Sequence, residues 1–193
     1  DSSAGVIGPR LVSSATTDQY EQMNRMATLF DSSAIPDTDT ISSATLSWSG
    51  DTGFTKSDNL SQSVAVCSVV LALNTAVATG DFAVTNWGST DFATQMTVTN
   101  WSNAAYNDFA LNASGITNIS KTGVSKFGGR LSGDMGNSAP TWASAVSAGL
   151  EVVMAEAAGT TKDPKLVVTH VAVTTTSSST STSSSSTSTS SSS

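Results

Sequence analysis

The sequence predicts an all-β protein, an antiparallel β-sandwich of the jelly-roll kind with at most one short helix. Two observations predict it. Roughly eight or nine short runs of alternating or β-branched apolar residues recur along the chain, each bounded by clusters of Gly, Pro, Asp, Asn or Ser. Only one segment, opening at Asn112, carries a helix start of its own.

Taken in order, Asp1 to Thr17 is rich in Gly and Ser with Pro9, and reads as an irregular N-terminal arm with a short strand near Arg10–Ser13. In Tyr20 to Phe30, Met23, Met26 and Phe30 would share a helical face, but the run ends in the turn cluster Phe30-Asp-Ser-Ser-Ala-Ile-Pro-Asp37, and it is read as a strand. Ile41 to Trp48 alternates as a strand does, and Gly50-Asp-Thr-Gly53 turns the chain. Val64 to Leu73 is apolar and β-branched, a central strand, followed by shorter ones at Asp81–Val84 and Ala93–Val98. Tyr106 to Leu111 is a strand leading into Asn112 to Ser120, where Asn112 caps a short helix that turns Ile116 and Ile119 toward the core. Gly123–Phe127 and Gly129–Leu131 form one strand with a bulge expected at the glycine pair, and Gly133–Pro140 is a loop. Gly149–Ala155 and Lys165–Val173 are the last strands, joined by a turn over Glu156–Pro164. No repeat of 20–50 residues is present, although Thr85-Asn-Trp87-Gly and Thr99-Asn-Trp101-Ser echo each other.

The last twenty of the 193 residues, Thr174 to Ser193, are Ser and Thr only. A tail without apolar side chains has nothing to offset the entropy of ordering it, and such tails serve as flexible spacers or O-glycosylated stalks. The domain organisation is therefore an arm (1–17), a single sandwich (18–173) and a tail (174–193). The start at Asp1 fits a mature N-terminus after removal of a leader, or a fragment boundary. Only 12% of residues are charged, about half the usual share, and the net charge is −7. Phosphate backbones require a Lys/Arg footprint, so nucleic acid is not expected as a partner. The longest apolar stretch, Val69-Val-Leu-Ala-Leu73, is far short of a membrane span. The lone Cys67 has no partner for an intramolecular disulfide and reads as a small buried hydrophobe.

Arg25-Met-Ala-Thr-Leu-Phe-Asp-Ser-Ser-Ala-Ile-Pro-Asp37, followed by Ile41-Ser-Ser-Ala-Thr-Leu-Ser47, resembles the opening of DNRLRE-type domains, which are like carbohydrate-binding modules. Tyr106-Asn-Asp-Phe-Ala-Leu-Asn112, Gly123 to Arg130 and Asp163-Pro-Lys-Leu-Val-Val-Thr169 are similar to later landmarks of related phage and metagenomic proteins. The resemblance spans roughly residues 20–171. It implies a jelly-roll sandwich of extracellular or virion-surface proteins and carries over no catalytic residue. Trp48 departs from it, where an aliphatic side chain is usual, as does the Ser/Thr tail.

Catalytic chemistry finds little to work with. The one histidine, His170, lies in a strand with no Gly-x-Ser-x-Gly elbow anywhere in the chain, and Glu21, Glu151 and Glu156 read as solvated or edge positions rather than a carboxylate pair. No catalytic residue is assigned. Asp31, Asp37 and Asp39 flank one turn and are the candidate ligands for calcium, although turn aspartates commonly bond their own backbone; no other cofactor is expected. Trp87 with Asn86, and Trp101 with Asn100, are the candidate carbohydrate site, indole plates for sugar faces with amides to read hydroxyls. The commoner use of Trp48, Trp87, Trp101 and Trp142 is to plug a core or an interface, and that is the expectation for them. Asn-x-Ser/Thr acceptors occur at Asn59, Asn100, Asn112 and Asn118, with Asn112 competing as a helix cap. The tail hydroxyls, beginning Thr174-Thr175-Thr176-Ser177, are the stronger glycosylation candidates.

These readings point to a non-catalytic structural subunit of an extracellular assembly, a filament or a virion-surface array. Its partners would be copies of itself, with the arm reaching a neighbour as a donated strand and the tail carrying glycans. The alternative is a carbohydrate-binding or adhesion module attached through its tail.

Overall fold

The computed structural model describes residues 5–173. Its strands in chain order are β1 (Val6–Ile7), β2 (Arg10–Ser13), β3 (Tyr20–Asn24), β4 (Met26–Asp31), β5 (Thr40–Ser49), β6 (Ser57–Asp58), β7 (Ser63–Ser68), β8 (Met96–Thr97), β9 (Tyr106–Ala110), β10 (Val124–Leu131), β11 (Ser147–Gly149), β12 (Val152–Val153) and β13 (Lys165–Val171). Two short helices are α1 (Ala113–Thr117) and α2 (Ser132–Met135). All pairings are antiparallel, in sheets ordered β4-β10-β7-β8, β3-β2-β11-β6, β13-β5-β9 and β1-β12. The chain is thus the all-β sandwich that its alternation predicts.

One layer is the sheet β4-β10-β7-β8. Its inward residues Met26, Val64, Val66, Phe127 and Leu131 meet Ala44, Leu46, Trp48 and Phe109 of β5 and β9 and Leu11 and Ala148 of β2 and β11 in the main core. Trp48 is fully buried there, its ring tilted on Phe109 at 5.1 Å and its Nε1 donating to Thr28 Oγ1 at 3.4 Å. An indole fits where the resemblance would place an aliphatic side chain because Gly129 opposite leaves room: a Cβ on Gly129 would lie 3.2 Å from Trp48 Cη2.

Several expectations are corrected. Residues 5–17 are no free arm: β1 pairs with β12, β2 lies between β3 and β11, and Leu11 joins the core, so this strand is spent inside its own chain. The Tyr20–Phe30 strand is two strands in two different sheets, with Arg25 as the single residue where the chain crosses from one layer to the other. The strand expected over Val64–Leu73 stops at Ser68, and Asp81–Val84 belongs to the 3-10 turns Thr79–Phe82 and Val84–Asn86. Of Ala93–Val98 only Met96–Thr97 pairs. No bulge occurs at Gly128-Gly129, where the register to β4 and β7 runs unbroken. A second helix, α2, stands where a loop was expected, and Gly149–Ala155 contributes only the last residue of β11 and the two-residue β12. The expected cap is present: Asn112 Oδ1 accepts from Gly115 N at 3.1 Å, Ile119 is buried and Ile116 packs on the core.

Candidate functional site

The outward face of β4-β10-β7-β8 carries apolar residues of its own beside the cations Lys126 and Arg130. Strand residues alternate sides, so Ala27, Ala65, Cys67 and Val69 point away from the main core and need their own cover. A flap supplies it. Residues 69–87 leave β7 and return to the same place, closed at the base by Gly88 N donating to Ser68 O (2.9 Å) and Val70 N to Asn86 O (2.8 Å). Leu71 and Trp87 of the flap and Met135 of α2 complete a second small core. Within the flap, the Asp81 carboxylate accepts from Ala78 N (2.7 Å) and Ala72 N (2.9 Å), and these bonds hold its pKa below the usual range. Trp87 Nε1 donates to Asp81 O at 2.8 Å.

The flap is held down by cations. Lys126 Nζ donates to Leu71 O (3.0 Å), Arg25 Nη1 to Phe82 O (2.8 Å), and Arg130 Nη1 to Gly88 O (2.9 Å) and Trp87 O (3.3 Å). Asp134, at the start of α2, bridges the two arginines, with Arg25 Nη2 at 2.6 Å and Arg130 Nε at 2.8 Å. All three side chains are nearly inaccessible. Burial pushes the Asp134 carboxyl up, but the hydrogen bonds and charges of Arg25 and Arg130 more than reverse this and hold it at about 2. Arg25 also lies over the Phe82 ring, 4.9 Å from its centroid. The same device recurs elsewhere: Lys56 clamps the carbonyls of Thr99 and Trp101, and Lys121 those of Asp37 and Asp39. Five of the eight basic residues thus donate to loop carbonyls. None of this network was singled out from the sequence; its one local signal is the four-residue spacing of Arg130, at the end of β10, and Asp134 in α2, while Arg25 and Asp134 are separated by 109 positions and leave none.

Above this pinned layer the flap exposes five large apolar side chains among the polar Asn74, Thr75, Thr79 and Thr85. Val70 (67% exposed), Leu73 (50%), Val77 (36%), Phe82 (48%) and Val84 (56%) all lie on it. Val77 and Phe82 also form one wall of a groove of about 420 Å³ whose floor includes Ala27, Leu29 and Trp87. Exposed apolar side chains gathered on one segment mark an interaction surface more often than chance scatter does.

Trp87 and Trp101 offer no exposed ring face for a sugar to stack on. Trp87 is 5% and Trp101 1% exposed. Each follows a single 3-10 turn, Val84–Asn86 and Val98–Asn100, and its N–H bonds the valine carbonyl that opens the turn (3.1 and 3.2 Å). The repeated Thr-Asn-Trp is therefore a device that tucks an indole inward, under the flap for Trp87 and into the main core for Trp101. Asn86 Nδ2 is engaged by Gly80 O at 3.2 Å, whereas Asn100 is exposed.

Two of the three aspartates of the 31–39 turn, Asp31 and Asp39, have their carboxylates met by protein groups. Asp31 accepts from Ser33 Oγ and N, which lowers its pKa, and Asp39 Oδ2 contacts His170 Nδ1 at 2.7 Å. Asp37 contributes its carbonyl to Lys121. Among the described residues no group of three or more His, Cys, Asp or Glu is spaced to hold a metal ion. His170 with Asp39 thus joins β13 to the turn before β5. The tail positions Thr174, Thr175, Thr176 and Ser177 lie outside the described residues.

No family model, curated protein or solved structure matches the chain significantly. The likeness to DNRLRE-type domains therefore rests on the motifs alone. No helix among the described residues is long and apolar enough to cross a membrane.

Proposed function

We propose that the protein is a non-catalytic structural subunit of an extracellular surface assembly, a filament or virion-surface array, whose copies associate through the flap. The observation that carries this reading is the run of exposed Val70, Leu73, Val77, Phe82 and Val84 on a segment that is itself anchored by Lys126, Arg25 and Arg130. An apolar surface on a pinned support loses little conformational entropy on docking. A chain with few charges brings few that need desolvation when copies meet. The Ser/Thr tail is the glycan carrier of such a subunit, and the motif resemblance agrees with a surface setting.

The test is electron microscopy and mass photometry of the native protein beside a Leu73→Glu/Val84→Glu variant. Wild-type protein is expected as ordered particles with a fixed repeat, and the variant as monomers with an unchanged circular dichroism spectrum. Dispersed wild-type monomers at high concentration would overturn the reading.

A further inference from the structure

The four Asn-x-Ser acceptors are chemically alike in sequence, and the fold separates them. Asn112 Nδ2 donates to Asp91 O at 2.7 Å, and Asn118 Nδ2 to Lys126 O at 2.9 Å. In both, the nitrogen that would carry a sugar is already seated against a backbone carbonyl, and Asn112 caps α1 besides. Asn59 and Asn100 are exposed, as is Asn112, but among the described residues their side-chain amides donate to no carbonyl. They are also neighbours. The residues just before them, Asp58 and Thr99, are joined by a hydrogen bond from Thr99 Oγ1 to Asp58 Oδ2 at 3.0 Å, and Lys56 Nζ donates to Thr99 O at 2.6 Å.

We infer that Asn59 and Asn100 are a paired N-glycosylation site, and that Asn112 and Asn118 are left bare. The inference rests on the extracellular reading above, since oligosaccharide transfer to asparagine acts on exported chains. In the transfer the Asn Nδ2 forms a bond to C1 of the first sugar of a lipid-diphosphate-linked oligosaccharide. The sugar–oxygen bond breaks, the lipid diphosphate leaves with the electron pair, and the amide proton passes to a carboxylate of the transferring enzyme.

The position gives the pair a consequence for assembly. Asn59 directly follows β6 and Asn100 lies three residues after β8, and β6 and β8 are the terminal strands of their sheets. Open strand edges are templates for unwanted pairing. Two glycans here would screen both edges and leave the flap face as the surface through which copies meet.

The experiment is glycopeptide mass spectrometry of the protein isolated from its native source, with a Ser61→Ala/Ser102→Ala variant expressed in the same host. Sugar is expected on Asn59 and Asn100, none on Asn112 or Asn118, and the variant should lose the modification with its fold intact. Unmodified Asn59 and Asn100, or sugar on Asn112 or Asn118, would overturn the inference. Microscopy of the same sample keeps the two proposals apart: assembled but unmodified protein sinks only the glycan pair, and glycosylated monomers sink only the assembly.

Discussion

A methyl group on Gly128 would stand 2.9 Å from Cε3 of Trp87 and 3.1 Å from Sγ of Cys67. One residue on, a methyl on Gly129 would meet Met26 Cγ at 2.8 Å and Trp48 Cη2 at 3.2 Å. Successive strand residues face opposite sides, so this glycine pair admits one tryptophan to each face of β10. Gly128→Val should therefore lift Trp87 and the flap, costing about 1–3 kcal/mol as overpacking does. Urea unfolding followed by tryptophan fluorescence measures it; a variant as stable as wild type would show that the flap can move aside freely.

Among the described residues Asp134 is the one carboxylate paired with the buried arginines Arg25 and Arg130. Asp134→Ala leaves both guanidinium groups without their counter-charge and should cost about 3–5 kcal/mol, read as a lower urea midpoint. Its pH signature follows from the direction of the shift. A carboxyl held at about 2, below its unfolded value, contributes stability that is fully present above pH about 4 and is lost as pH falls toward 2. Thermal melts across that window should show a steeper acid loss for wild type than for Asp134→Asn.

Cys67 lies under the flap, fully inaccessible, and burial pushes its thiol up to about 12. At pH 8 it should resist iodoacetamide in the native state and react completely in denaturant. Lys126→Met removes the clamp on the Leu71 carbonyl. That variant should label several-fold faster with an unchanged global unfolding midpoint, because only the flap opens. Equal labelling rates would mean that Lys126 contributes nothing to holding it.

Trp87→Ala and Trp101→Ala should each destabilise by about 3–5 kcal/mol, the cost of emptying a core site of a large aromatic. Any accompanying loss of glycan retention should track the unfolded fraction in circular dichroism. A well-folded Trp87→Ala protein that had lost sugar binding would restore the carbohydrate reading.

The strands that read true from sequence are those whose two faces differ. In β5, Ala44, Leu46 and Trp48 alternate with Ser43, Thr45 and Ser47, and the pattern alone shows the core side. The Asn112 cap was equally legible, since a side chain bonding the backbone three residues on is a local event. The runs at Val69–Leu73 and Asp81–Val84 misled because apolar residues laid over the outside of a sheet have the composition of strands without pairing as strands, whereas Ala93–Val98 turns Ala93 and Val98 into the main core and pairs only over Met96–Thr97. The glycine pair misled for a related reason: a glycine in a strand signals close approach as well as a bulge, and only the facing indoles decide between them.

By itself the sequence determined the β-sandwich class, the turns, the helix cap, the inertness expected of Cys67 and the poverty of charge. These are properties of period and composition, set by neighbours within a few residues. Tertiary structure alone decided that Arg25 meets Asp134 across 109 positions, that the N-terminal strand pairs within its own chain, and which asparagines keep a free amide. It also decided that both Thr-Asn-Trp turns bury their indoles. Each of those outcomes depends on which distant segment arrives to complete a hydrogen bond or cover an apolar face, and chain closure over such distances leaves no periodic trace in the residues it joins.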